Sequence, residues 1–194
     1  MPSAGGVFID RIRSWLEAWG YRYLEVPVLE RADLFEACTQ GTENRMFRLE
    51  GGMALVPEVT NYVRALGARA IGCDRVYYVT RCFRDETTTD AERLREFTQI
   101  GVEFLGENAA DCRKTVRKDA LRLFRELLGD EGWALEDGVE RGLNLYTTTA
   151  GTFEIRATGN RKQLLGGGAY AGGAGWALGL ERLELLLKRS GQRI

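Results

Sequence analysis

Two stretches of this 194-residue chain hold residues whose types and spacing could do chemistry. The first is RCFRDETTTDAERLREF at 81–97, where a strand ends in Arg84 and Glu86, turns through a polar loop and returns with Arg93, Arg95 and Phe97. Such a hairpin can set a guanidinium over a triphosphate and a phenyl ring over a purine. Arginine suits phosphate because it stays protonated and its planar fork donates two parallel, charge-assisted hydrogen bonds. The same composition also describes a surface hairpin laced by ion pairs of little net energy. The second stretch is GGGAYAGGAGWALGLERLELLL at 166–187. Glycines let a ligand approach the backbone closely, and the run enters an apolar helix with Arg182 among leucines. An arginine there costs free energy unless it meets an anion, either a ligand or a buried carboxylate. The run is neither a phosphate-binding loop, lacking GK[ST], nor a dinucleotide fingerprint.

Composition narrows the chemistry. There is no histidine, which removes Ser–His–Asp and Cys–His nucleophilic sites and His-ligated zinc or haem. Acid–base or electrostatic work falls to Asp, Glu, Lys, Arg, Tyr, Cys or a metal. Cys38, Cys73, Cys82 and Cys112 are far apart and form no CxxC pair, so they read as reduced, mostly buried thiols of a cytoplasmic protein. A net charge of −1 argues against binding nucleic acid through bulk charge, while leaving room for a local basic face. No apolar run reaches the roughly 20 residues that span a bilayer, and Asp10, Arg11 and Arg13 interrupt any leader-like start.

The elements that must position these residues follow from periodicity. Phe8, Ile12, Trp15, Leu16 and Trp19 recur at helical spacing and Gly20 stops the helix. YRYLEVPVLE is extended, and Pro27 assigns it to an edge or interface. Residues 33–38 read as a helical turn, and 45–49 with 54–56 as a hairpin through Gly51 and Gly52. Pro57 and Glu58 open a helix that ends at Gly67. Residues 74–83 and 97–105 are the arms of the long-looped hairpin, with Gln99 and Glu103 on the second arm. Residues 111–128 form an amphipathic helix, 141–146 and 152–156 strands, 166–175 a glycine-rich strand or loop, and 178–188 a closing helix. Strands pair locally without βαβα alternation, which predicts one α+β domain over 1–194 with an antiparallel sheet flanked by helices.

The order of the pieces carries a resemblance. FRDE, a loop, REF and a distal GLERL resemble motifs 2 and 3 of the class II aminoacyl-tRNA synthetases, and WGYRYLEVPVLE resembles their motif 1. LVPEVT, REFTQIGVEFLG, ERGLNLYTTTAGTFE and GGGAYAGG are similar to the histidyl-tRNA synthetase stretches LRPEGT, RQFHQIGVEVFG, RGLDYY…TVFE and GGRYDGL. The resemblance implies a class II synthetase-like core that binds ATP, with Mg2+, and an amino acid. By matching position, Arg84 would contact the α-phosphate and Glu86 the adenine amino group. Phe97 would stack on adenine, with Arg95 and Arg182 also on the ATP side. Arg141 would polarise the α-phosphate. Glu58, Thr60 and Gln99 would meet the ammonium group, and Glu103, Tyr146 and Tyr170 the side chain. Glu154 would either join a magnesium shell or be held by Arg156 or Arg161.

The resemblance further implies adenylate formation from histidine or a related small amino acid, with transfer to tRNA or another acceptor. No general base is needed, since the attacking carboxylate is already ionised. A symmetric homodimer would use Val26, Val28 and Leu29. The stretch between Gly106 and Arg141 is too short for an inserted helical domain, and no anticodon-binding domain follows, so a bare core is expected. Val56, Asn144, Leu145, Ala169 and Ala171 depart from the family pattern toward lower polarity, which suggests a shifted amino-acid preference. The alternative is a non-catalytic paralogue that senses an amino acid for a partner enzyme.

Overall fold

The computed structural model describes residues 4–36, 45–140, 146, 148, 151–159 and 162–189. Helix α1 (Ala4–Ala18) buries Phe8, Ile12 and Leu16 at four-residue spacing, and Gly20 ends it with a φ of 87°. The extended segment that follows divides at Pro27. Its first half is β1 (Arg22–Tyr23), an edge strand of the main sheet, and its second half is β2 (Leu29–Arg31), which joins a separate small sheet. After the short α2 (Asp33–Glu36), β3 (Arg48–Leu49) and β4 (Met53–Leu55) form the expected hairpin, with Gly51 and Gly52 in its turn.

Helix α3 spans Thr60–Ile71, so Pro57 and Glu58 lie before it rather than in its first turn. Gly67 kinks this helix (φ 70°, ψ 161°) instead of ending it, and Gly72 caps it, donating to the Ala68 carbonyl at 2.8 Å. The long hairpin forms as expected from β5 (Arg75–Phe83) and β6 (Glu96–Leu105). Helix α4 (Ala109–Leu128) starts on Asn108, whose side chain accepts from the Ala110 and Asp111 amides. The polar edge strand β7 (Trp133–Asp137) was not foreseen, and β8 spans Thr152–Ala157.

The glycine-rich stretch resolves into two central strands, β9 (Gln163–Tyr170) and β10 (Gly173–Gly179), so α5 begins only at Leu180 (Leu180–Arg189). Gly175 is needed there, because a Cβ at that position would run into the Glu103 carboxylate. Of the predicted strand over 141–146, residues 141–145 lie outside the described residues; Tyr146 makes an isolated bridge with Tyr170.

The main sheet has seven strands in the order β1-β5-β6-β10-β9-β8-β7, antiparallel except for the β1–β5 pair. Strand alternation separates its faces. Ile100, Val102, Phe153, Ile155, Trp176 and Leu178 pack with α1 and α4, while Val76, Tyr78, Cys82 and Tyr170 pack with α3. The second face carries Gln99 and Glu103, which places the candidate site. Cys73, Cys82 and Cys112 are free thiols; Cys38 lies outside the described residues. Val28 and Leu29 are exposed on the small sheet's side of the fold, whereas Val26 is buried. No helix among the described residues is long and apolar enough to cross a membrane.

Candidate active site

A cleft of about 480 Å³ opens on the α3 face of the sheet. One end is built by the chain leaving β5, the chain entering β6 and the first turn of α5. The Arg84 amide continues the ladder by donating to the Arg95 carbonyl at 2.8 Å, and its Nε donates to the Pro57 carbonyl at 3.0 Å. This seats the Arg84 guanidinium 4.9 Å from the centre of the Phe97 ring. In the same cleft, Arg182 donates from Nε to the Glu92 carbonyl (2.7 Å) and from Nη1 to the Gln163 carbonyl (3.1 Å). Burial lowers the Arg182 pKa, and repulsion from Arg84 lowers it further. Neither arginine makes an ion pair among the described residues; both are aimed by carbonyls and line the same cleft, near enough for the Arg84 charge to act on Arg182. Glu86 is buried beside them, 3.5 Å from Arg45 and 3.8 Å from Arg93.

The other end is acidic and hydroxylic. Glu58 is 5% exposed, and its carboxylate accepts from the Asn61 amide at 3.1 Å. Burial raises the Glu58 pKa despite that hydrogen bond and the Arg84 charge. Behind it, Glu103 is fully buried and accepts from Thr60 Oγ1 at 2.7 Å and Tyr170 OH at 2.6 Å. Burial outweighs both hydroxyls and pushes its carboxyl up to about 8. Gln99 forms the floor and accepts from the Cys82 thiol at 3.3 Å. That thiol is itself pushed up to about 12 by burial. The Tyr78 hydroxyl and Asn61 Nδ2 are buried without a hydrogen-bond partner among the described residues.

Of the residues expected at the site, Arg84, Glu86, Phe97, Arg182, Glu58, Thr60, Gln99 and Tyr146 line the cleft. Three others do not. Arg95 is exposed and turned outward, with Nε on the Glu86 carbonyl (3.1 Å) and 3.9 Å from the Asp85 carboxylate. Glu103 and Tyr170 are sealed behind the wall by their mutual hydrogen bond. Arg141 lies outside the described residues. Arg93 lines the cleft where Arg95 had been expected, and Arg45 joins it from beside the small sheet. Sequence reading took Arg93 only as part of the returning arm, and no motif pointed to Arg45.

Three of the departures from the family pattern lie among the described residues. Val56 is buried with Phe35 and Met46, Ala169 packs in the α4-side core, and Ala171 is exposed in the β9–β10 turn. None of the three lines the cleft; Asn144 and Leu145 lie outside the described residues.

Among the described residues no three acidic or thiol side chains converge as a metal site. Glu154 is instead held by Arg156 at 2.7 Å. Among the described residues the side chains present do not by themselves form a divalent-cation site.

Known proteins resemble this chain in sequence and in fold. The sequence model of the family described as histidyl-tRNA synthetase matches residues 7–135. The chain is 38% identical over 137 residues to a histidine–tRNA ligase of Nitrosomonas eutropha, covering 64% of this chain and 32% of that protein. It is 36% identical over 152 residues to the histidine–tRNA ligase of Nitrosomonas europaea, covering 70% and 36%. The chain thus spans about a third of the length of the curated relatives it matches. In fold it is similar to a histidine–tRNA ligase subunit of Alicyclobacillus acidocaldarius, with a TM-score of 0.76 at 17% identity over 97% of this chain and 94% of that one. The chain belongs to the histidyl-tRNA synthetase family and has the class II synthetase catalytic-domain fold, a mostly antiparallel sheet flanked by helices.

Proposed function

We propose that the cleft binds ATP and an amino acid side by side and joins them as an aminoacyl adenylate, as part of an aminoacyl-tRNA synthetase reaction. The observation that carries this reading is the pair Arg84 and Arg182. Two guanidiniums lining one cleft, neither in an ion pair among the described residues, repel each other, and a polyphosphate between them removes that repulsion. Phe97 supplies a ring for the purine under Arg84, and Glu86 an acceptor for an exocyclic amine.

The amino acid's ammonium group would meet Glu58, with Thr60 and Gln99 beside it. A cation there returns Glu58 toward its ionised form, so amino-acid binding weakens as pH falls through its raised pKa. One carboxylate oxygen of the amino acid attacks the α-phosphorus of ATP. The bond from that phosphorus to the oxygen bridging to the β-phosphate breaks, and pyrophosphate leaves with that electron pair. No proton moves at the nucleophile. Catalysis rests on alignment and on guanidinium charge at the phosphorus. Arg84 is the described candidate for that charge, and Arg141 is assigned to it by resemblance alone. Mg2+ would arrive with the ATP.

The relatives' names point to histidine and tRNA as the substrates. An imidazole suits a subsite where Glu103 accepts from one ring N–H and a tyrosine hydroxyl meets the other nitrogen. That requires Tyr170 to release Glu103. The exposed Val28 and Leu29 would lie in a two-fold homodimer interface; a stable monomer in light scattering would contradict that part. The reading as a whole is tested by amino-acid-dependent exchange of pyrophosphate into ATP against a panel of amino acids. Exchange with histidine is expected, and exchange with no amino acid would overturn it.

A further inference from the structure

The chain leaving β5 is stitched to the small-sheet side of the fold by successive hydrogen bonds. The Phe83 amide donates to the Val56 carbonyl at 2.9 Å, Arg84 Nε to the Pro57 carbonyl at 3.0 Å, and the Asp85 amide to the Arg45 carbonyl at 2.7 Å. Arg45, just ahead of β3, also reaches past Asp85 with its side chain and brings Nη1 to 3.5 Å from Glu86 Oε1. Arg93, on the returning arm, stands 3.8 Å from Oε2. A carboxylate that is only 6% exposed therefore lies between two half-exposed guanidiniums, and all three residues line the cleft.

Both ion pairs are longer than the roughly 2.7–2.9 Å of a charge-assisted hydrogen bond. The guanidiniums thus offset the cost of burying a charge while leaving the lone pairs of Glu86 for a donor brought by a ligand. The two arginines hold it differently. Arg93 belongs to the same hairpin as Glu86, whereas Arg45 comes from outside that hairpin. It grips the carboxylate with its side chain and the residue before it with its carbonyl.

We propose that Arg45 is a positioning residue for the base of ATP, holding Glu86 in place as the acceptor for adenine's exocyclic amine. This rests on the reading of the cleft as an ATP site with Phe97 against the purine. Held between two guanidiniums, Glu86 can accept from the amine without giving up its counter-charges. A Glu86 free to turn would keep its charge near the purine but lose the aim of the bond.

The test compares ATP with purine riboside triphosphate, which lacks only the exocyclic amine, in pyrophosphate exchange and in nucleotide-dependent melting temperature. The parent should prefer ATP by about tenfold in kcat/KM, as befits one hydrogen bond to a charged group. Arg45→Ala leaves the backbone contact in place and removes the guanidinium. It should raise the KM for ATP about fivefold and that for the analogue less than about twofold, which cuts the preference to about twofold. The KM for the amino acid should stay within about twofold. Arg45→Lys, which keeps the charge, should restore much of the preference.

Equal losses with ATP and with the analogue in Arg45→Ala overturn the proposal, since they assign Arg45 to the phosphates or to the fold. So does an undiminished preference. A parent that treats the two nucleotides alike, in exchange and in melting, overturns it together with the role of Glu86. A parent that shows no exchange refutes adenylation alone, because the melting comparison still reads the base contact. Melting without nucleotide shows whether Arg45→Ala is folded. If it is not, Arg45→Gln, which keeps most of the stem without the charge, is expected to lose the preference in the same way.

Discussion

The two ends of the cleft differ in readiness. At the arginine end Arg84, Arg182, Phe97 and Glu86 all face the open space, and the two guanidiniums are aimed by carbonyls before any ligand arrives. At the other end Glu58, Thr60, Gln99 and Tyr146 reach the space, while Glu103 and Tyr170 are hydrogen-bonded to each other behind it. The difference is one of electrostatic pairing. At the first end the repulsion of Arg84 on Arg182 outweighs the nearby carboxylate charges, which favours a polyanion from outside. An acid and hydroxyls at the second satisfy one another and close. A polyanion would therefore enter a prepared site, and a polar amino-acid side chain would have to exchange one hydrogen bond for another.

The sharpest way to break this comparison is at the open end. Arg182→Ala should lower amino-acid-dependent pyrophosphate exchange by about 100-fold, as loss of a preorganised charge at a reacting centre does. Single-turnover rates with saturating ATP would show whether the loss lies in chemistry or in binding. Glu58→Gln comes next. It should raise the KM for the amino acid by about tenfold and change kcat less, because it removes a contact made equally in ground and transition states.

The closed end makes a stability prediction. The Glu103 carboxyl stands at about 8 in the fold, against about 4.3 in an unfolded chain. Between those values the folded chain holds a proton that the unfolded chain has lost. Stability therefore falls as pH rises through that window and levels off above it. Glu103→Gln should remove this dependence, melting like the parent near pH 4 and higher by about 5 °C at about pH 8.5. Thermal unfolding across pH reads it directly. A variant less stable at every pH would contradict the account. The smallest effect separates two neighbours: Arg93→Gln should raise the KM for ATP by about fivefold, while the outward-facing Arg95→Gln should change it less than about twofold.

Much of this was legible in the residues, and the failures have physical causes. The hairpin and its Arg84, Glu86 and Phe97 were readable because strand alternation and motif spacing agree. The resemblance also put Arg95 on the ATP side with Phe97, but the chain bends at Arg95, before β6 begins. For Glu103 alternation gave the right face but not the depth, because the wall that seals it comes from Thr60 and Tyr170, distant in sequence. The glycine-rich stretch read as strand or loop because its composition is poor in β-formers. It is central strand because close neighbours, such as Glu103 against Gly175, leave no room for a side chain. Strand β7 escaped notice because its exposed edge residues carry little apolar signal.

The central claim is that Arg84 and Arg182 bind ATP for attack by an amino-acid carboxylate. Amino-acid-dependent exchange of labelled pyrophosphate into ATP, in the parent chain and in Arg84→Ala, tests it most directly. The account predicts exchange with histidine in the parent and a loss of at least about 100-fold in the variant, whose melting temperature no longer rises with ATP. Exchange undiminished in Arg84→Ala would contradict it.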